Sequence, residues 1–206
     1  MKISKKLPQN VGWLDIQLDD KHIDHLWDCI KTARGESAKS ILVGQIEKSY
    51  QIFDKDDIFW KEVILRCIDE YGNALLSHLM IKRIEKEAVA VGGLTLGADP
   101  LVCGIAQKAY YKGNRHIDAL IIRKNPKGYG TKEVIEGNKP AKGSVVTVLE
   151  DVTTTGGSAM TAVNVLRDAG YVVNRVVTIV DRMDDHKIWD DNNIEFQSLF
   201  QLFELT

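Results

Sequence analysis

Hydrophobic positions in this chain form two kinds of pattern, stripes at helical spacing and short unbroken runs. The first stripe is Ile23, Leu26, Trp27 and Ile30, at i, i+3, i+4 and i+7. It predicts a helix capped by Asp19 or Asp20 and ended by Gly35. A second runs through Trp60, Val63, Ile64, Cys67 and Tyr71, opened by Asp56 or Asp57 and stopped by Gly72. Residues 41–53 read as extended chain or loop. From Asn73 the pattern changes. A helix carrying Leu75, Leu76, Leu79, Met80 and Ile84 ends in the charges of Lys82 to Lys86. Strands and helices then alternate. Ala88–Val91 is a short strand, followed by Gly92 and Gly93. A helix near Pro100 carries Leu101, Ile105, Ala106 and Ala109. Ile117–Ile122, Val145–Leu149 and Val172–Val180 are apolar runs of the sort buried on both faces of a parallel sheet. Between the last two lies a helix with Met160, Val163 and Leu166, and Gly170 just beyond it. Residues 184–193 read as a short polar helix or turn, and Phe196–Leu205 as a closing strand and tail. The expectation is a mainly parallel α/β sheet flanked by helices, with residues 1–74 packed beside it or hooding it.

At 206 residues the chain is about one domain. Hydrophobic residues at 44% and charged residues at 27% fit an ordinary globular protein. No apolar run approaches the roughly 20 residues of a membrane span, and no signal-peptide pattern opens the chain. A net charge of −2 gives no reason to expect a nucleic-acid or membrane partner. Cys29, Cys67 and Cys103 are odd in number and far apart, with no C-x-x-C, so neither a disulfide framework nor a zinc site is indicated. Buried thiols in a reducing cytoplasm are expected. His22 and His25 share a helix face but have no third ligand.

The chemistry concentrates between Val145 and Ala162, in the string V-V-T-V-L-E-D-V-T-T-T-G-G-S-A-M-T-A. An apolar strand runs into two acids, Glu150 and Asp151. Three threonines, two glycines and Ser158 follow, and a helix begins. Gly156 and Gly157 let the backbone approach a ligand and turn its N–H groups inward. The helix N-terminus adds partial positive charge, and Thr153, Thr154, Thr155 and Ser158 add hydroxyls. That set suits a phosphate. The acids suit sugar hydroxyls or a ligand-borne metal ion. A phosphate beside a polyol is a sugar phosphate. The P-loop and Rossmann glycine signatures are both absent.

Two more stretches could meet anions. Gly93-Leu94-Thr95-Leu96-Gly97 lies between a strand and a helix. Arg123, Lys124 and Lys127 open a loop rich in glycine, proline and lysine that continues to Lys142, at the end of a strand where open α/β sheets bind ligands. Taken alone, that loop also fits a solvated basic surface. Asp181-Arg182 ends a further strand, and taken alone fits a surface ion pair.

The string L-E-D-V-T-T-T-G-G-S closely resembles the phosphoribosyl-pyrophosphate (PRPP) motif of type I phosphoribosyltransferases, and its details resemble the orotate phosphoribosyltransferase family. G-G-L-T-L-G-A-D-P resembles that family's pyrophosphate loop, with Leu96 where some branches have lysine. Residues 123–130 resemble its catalytic loop, R-K-x-x-K-x-H/Y-G. There Tyr129 stands where many members have histidine and Asn125 where many have glutamate, and Glu136-Gly137 resembles the closing signature. The likeness covers about residues 75–206, expected to be the PRPP-binding core. The family's N-terminal hood signature is not found in residues 1–74.

The resemblance implies transfer of a 5-phosphoribosyl group from PRPP to orotate with Mg²⁺ carried by PRPP, no metal being held by the protein directly. It makes Lys127, Arg123 and Asp151 catalytic. PRPP would meet Arg123, Lys124, Lys127, Tyr129, Glu150, Asp151, Thr153, Thr154, Thr155, Gly156, Gly157 and Ser158. Orotate would meet Thr154 and Arg182. It further implies a cytoplasmic homodimer whose basic loop reaches the partner's site. Another accepting base, a PRPP-sensing regulator without catalysis, or a scaffold using its N-terminal third remain alternatives.

Overall fold

The computed structural model of the protein describes residues 70–112, 115–124 and 133–204. The expectations for residues 1–69, for Lys127 and for Tyr129 lie outside the described residues. In chain order the elements are α1 (Glu70–Met80), β1 (Ala90–Leu94), α2 (Asp99–Lys112), β2 (Asp118–Ile122), β3 (Ile135–Gly137) and β4 (Val146–Thr153). They continue with α3 (Gly157–Asp168), β5 (Arg175–Asp181), α4 (Lys187–Asp191), β6 (Glu195–Gln201) and a terminal 3₁₀ turn, Leu202–Glu204.

One six-stranded sheet has the order β3-β2-β1-β4-β5-β6. All neighbours are parallel except β3, which pairs antiparallel with β2 at the edge. The expected mainly parallel sheet is therefore present. Its strand order reverses between β1 and β4, the place where open α/β sheets form a crevice at their C-terminal ends.

Side-chain alternation divides the core in two. Val91, Leu149, Val177 and Phe200 pack with Leu75, Leu76, Leu79 and Met80 of α1 and with Leu101, Val102 and Ile105 of α2. Val146, Val148 and Val176 pack on the other face with Ala162, Val163 and Leu166 of α3, and with Trp189 of α4. Helices on both faces explain why these strands read as unbroken apolar runs.

Three boundaries differ from the sequence reading. Gly72 does not stop a helix but lies inside α1. Burial of the Leu75–Met80 stripe outweighs the roughly 1 kcal/mol a helical glycine costs. That helix also crosses the expected boundary at residues 74 and 75. Gly92 and Gly93 lie within β1 rather than after it. A Cβ on Gly92 would press on Leu166 of α3, and one on Gly93 would collide with Ala98 and the Leu149 carbonyl. Their absence lets a helix and the next loop close onto the strand. Last, β3 takes up part of what read as loop. Arg123 N–H donates to the Val134 carbonyl, and Gly137, at φ 120°, sits where a side chain would strike the Ala119 carbonyl.

Candidate active site

The acids sit higher in the sheet than the sequence indicates. Strand β4 runs through Glu150 and Asp151 to Thr153. Glu150 is buried, and its Oε2 has no hydrogen-bond partner among the described residues. Burial, and then the neighbouring Asp151 carboxylate, push Glu150 up to about 8, against an opposing pull from Lys124. Glu150 is thus largely protonated at neutral pH. Asp151 Oδ1 accepts the Val152 N–H at 2.7 Å. The carboxylate also lies directly against Gly97, where any Cβ would collide with it. The acid pair and the Gly93–Gly97 loop therefore touch, and a side chain at position 97 would make the carboxylate move away.

Beyond Thr153 the chain turns into the glycine loop. Gly156 caps α3 in the left-handed region, at φ 77°. A Cβ there would meet the Trp189 ring and Ile188, so α4 braces the loop from beneath. The N-cap, Gly156, has no side chain to cap α3, so the N–H groups that follow Gly157 in its first turn could meet an anion. Thr154, Thr155, Gly157 and Ser158 are exposed at this turn. Thr155 Oγ1 accepts the Gly157 N–H at 3.4 Å. Thr153 differs from expectation. Its side chain is buried and its hydroxyl makes no hydrogen bond among the described residues, because it belongs to the strand and not to the turn.

Across the strand-order reversal, Thr95, Leu96, Asp99, Ile121, Arg123, Lys124 and Glu136 line a cleft of about 550 Å³. The Thr95 N–H donates to the Ile122 carbonyl, and its hydroxyl donates to Asp99 Oδ2 at 2.8 Å. Leu96 is exposed. Arg123 Nε lies 3.2 Å from Glu136 Oε1, an ion pair that crosses from the end of β2 to β3. Lys124 lines the same cleft, and its charge acts on Glu150. At the end of β5, Asp181 is fully buried, and the Arg182 N–H donates to the Thr153 carbonyl at 2.8 Å.

The loops after β1, β2, β4 and β5 thus meet at one edge of the sheet. They bring together Gly93–Gly97, Arg123, Lys124, Glu150, Asp151, the glycine loop and Arg182. Asp99 and Glu136 stand inside stretches the sequence singled out, but their pairings carried no signal there, and His186 carried none at all. Asp99 fixes Thr95, and an acid just before a proline at a helix start was the available clue. Glu136 holds Arg123 through a hairpin that the loop composition concealed. His186 lies 2.7 Å from Asp181, a pairing of which the separate histidine gives no sign. Among the described residues no cluster of three metal-ligating side chains occurs, and no helix is long and apolar enough to cross a membrane.

No family model matches the chain. Two curated relatives are similar over 135 residues, 65% of this chain. An orotate phosphoribosyltransferase of Thermosynechococcus vestitus is 49% identical, with 71% of its length covered. One of Synechocystis sp. is 43% identical, with 68% covered. Among solved structures, an orotate phosphoribosyltransferase of Mycobacterium tuberculosis in complex with PRPP superposes with a TM-score of 0.67 at 28% identity, covering 86% of this chain and 96% of that one. The same organism's enzyme in complex with Fe(III) dicitrate gives 0.61 at 34% identity, over 68% and 78%.

Proposed function

This chain belongs to the orotate phosphoribosyltransferase family, and from that premise we propose that it transfers the 5-phosphoribosyl group of PRPP to a ring nitrogen of orotate. The products are orotidine 5′-phosphate and pyrophosphate, a step of pyrimidine nucleotide biosynthesis. The observation that carries the reading is the junction of the acid pair with two anion-binding turns at the strand-order reversal. Asp151 rests on Gly97 of one turn and stands two residues before Thr153, where the other begins. A ligand with a phosphate at one end, a pyrophosphate at the other and a diol between fits that layout.

The 5-phosphate takes the N–H groups at the start of α3, displacing the long Thr155–Gly157 bond, with the hydroxyls of Thr154, Thr155 and Ser158 around it. Asp151 accepts from a ribose hydroxyl and balances the positive charge that grows on the sugar in an oxocarbenium-like transition state. Glu150, protonated, can donate to the other hydroxyl. Arg123, Lys124 and Lys127 stabilise the departing pyrophosphate. Arg123 first leaves Glu136 to do so. Leu96 brings no charge to the pyrophosphate loop, so contacts from that loop come from backbone N–H groups. Arg182 presents a planar fork that matches the carboxylate of orotate, with Thr154 beside the ring.

The residues fit a Mg²⁺ ion that arrives with PRPP. Asp151 alone, beside a protonated Glu150, is too little for a protein cage and suits an ion that keeps its waters and phosphate ligands. Such an ion offsets charge on the leaving group.

A homodimer in the cytoplasm completes the proposal. In that dimer the basic loop that follows Arg123 would bring Lys127 to the partner's cleft, where Arg123 is engaged with Glu136. Cys103 is exposed and not buried as expected, and an exposed free thiol suits a reducing compartment. Titration calorimetry with PRPP tests the sugar assignment. Asp151→Asn is expected to weaken binding about tenfold, the worth of one charge-assisted hydrogen bond. Unaltered affinity would contradict it.

A further inference from the structure

Arg182 occupies a short loop that is closed by its own neighbours. Asp181, just before it, is 1% exposed. Its Oδ1 accepts the Met183 N–H at 2.9 Å, and its Oδ2 lies 2.7 Å from His186 Nε2. One buried carboxylate therefore holds the chain on both sides of Arg182. The Arg182 N–H is tied to Thr153, at the base of the glycine loop.

His186 stands at the start of α4 but makes no side-chain bond to that helix. Its ring turns back to Asp181 and lies against Phe196, with centroids 5.5 Å apart. Trp189 stacks on the same Phe196 at 4.7 Å, with ring planes 5° apart. The Trp189 indole N–H points at Met183 Sδ, 3.2 Å away. The loop is thus held by a carboxylate beneath it and by two aromatic rings beside it. Loss of the imidazole would leave a buried carboxylate oxygen short of a partner and release the segment from 182 to 186.

We propose that His186 is a positioning residue for base recognition: through Asp181 it fixes the loop from which Arg182 meets the carboxylate of the accepting base. The inference rests on the reading of Arg182 given above. Bidentate recognition of a carboxylate demands placement within about 0.5 Å, so a loop free to shift loses affinity for the base while the PRPP loops keep theirs.

Steady-state kinetics with each substrate varied in turn tests this on four variants. Arg182→Ala is expected to raise the KM for orotate strongly. His186→Ala should raise the same KM about tenfold while the KM for PRPP stays within about twofold. His186→Gln should restore most of the loss, since its amide N–H reaches Asp181 at nearly the span of the imidazole Nε2–H. His186→Asn, one carbon shorter, should behave as the alanine variant, and the comparison of Gln with Asn decides the matter if the alanine variant fails to fold. Equal rises in both KM values, an unmoved orotate KM, or failure of Gln to rescue would overturn the role of His186. If Arg182→Ala leaves the orotate KM unchanged, the reading of Arg182 falls and this inference falls with it.

Discussion

Glu150 illustrates how one residue's role depends on what covers it. Two consecutive acids at a strand end are visible in the sequence, and their use toward a sugar follows from chemistry alone. Their inequality is not visible. Glu150 lies within the sheet and is held near 8, whereas an unfolded chain would lose that proton near 4.5. Between those values the folded state binds more protons than the unfolded state, so stability falls as pH rises. Without ligand, the protein is expected to lose on the order of 1 kcal/mol per pH unit from this group between about pH 5 and 8. The contribution is fully present below the lower value and gone above the higher one. Urea unfolding at pH 5.5 and 7.5, repeated on Glu150→Gln, measures it. The variant should have the shallower slope, and identical slopes would show that Glu150 does not titrate in that window. Gly97 makes the same point sterically. Its place in a strand-to-helix loop is readable, but the Asp151 carboxylate that crowds a side chain there comes from 54 positions further along the chain.

Among elements, apolar runs and helical stripes located every strand from β1 to β6 except β3. Each miss at a boundary has a packing cause. Helix α1 continues through Gly72 because Leu75, Leu76, Leu79 and Met80 bury against the sheet. Strand β1 includes Gly92 and Gly93 because Leu166 and Ala98 occupy the space of their side chains. The hairpin partner β3 is three residues long and pairs at an edge, too short to yield a periodic signal. That hairpin fixes both ends of the basic loop, since Arg123 N–H meets Val134 O and Arg123 pairs with Glu136. Lys127 lies between these anchors in sequence. Lys127→Ala is expected to lower kcat by roughly a hundredfold or more while PRPP still binds, as removal of a group that meets only the leaving charge should. Single-turnover kinetics beside equilibrium binding separates the two effects. An unchanged kcat would remove the loop from the chemistry.

At the scale of the molecule, function follows from strand order. Because the order reverses between β1 and β4, the loops after β1, β2, β4 and β5 share one edge of the sheet. Motifs spread from Gly93 to Arg182 become one site. The sequence carried those motifs with departures at Leu96, Asn125 and Tyr129, and the alternation of strand and helix announced a parallel sheet. What sequence alone did not reveal was contact between them: Asp151 on Gly97, Arg123 on Glu136, and His186 on Asp181 beneath the loop of Arg182. Each joins residues through tertiary packing, and no local periodicity encodes it. The central claim, phosphoribosyl transfer from PRPP to orotate, is tested most directly by mixing the protein with PRPP, Mg²⁺ and orotate and following orotate absorbance. The account predicts loss of absorbance that ceases when PRPP is omitted. Stable absorbance in a protein that binds PRPP would contradict it.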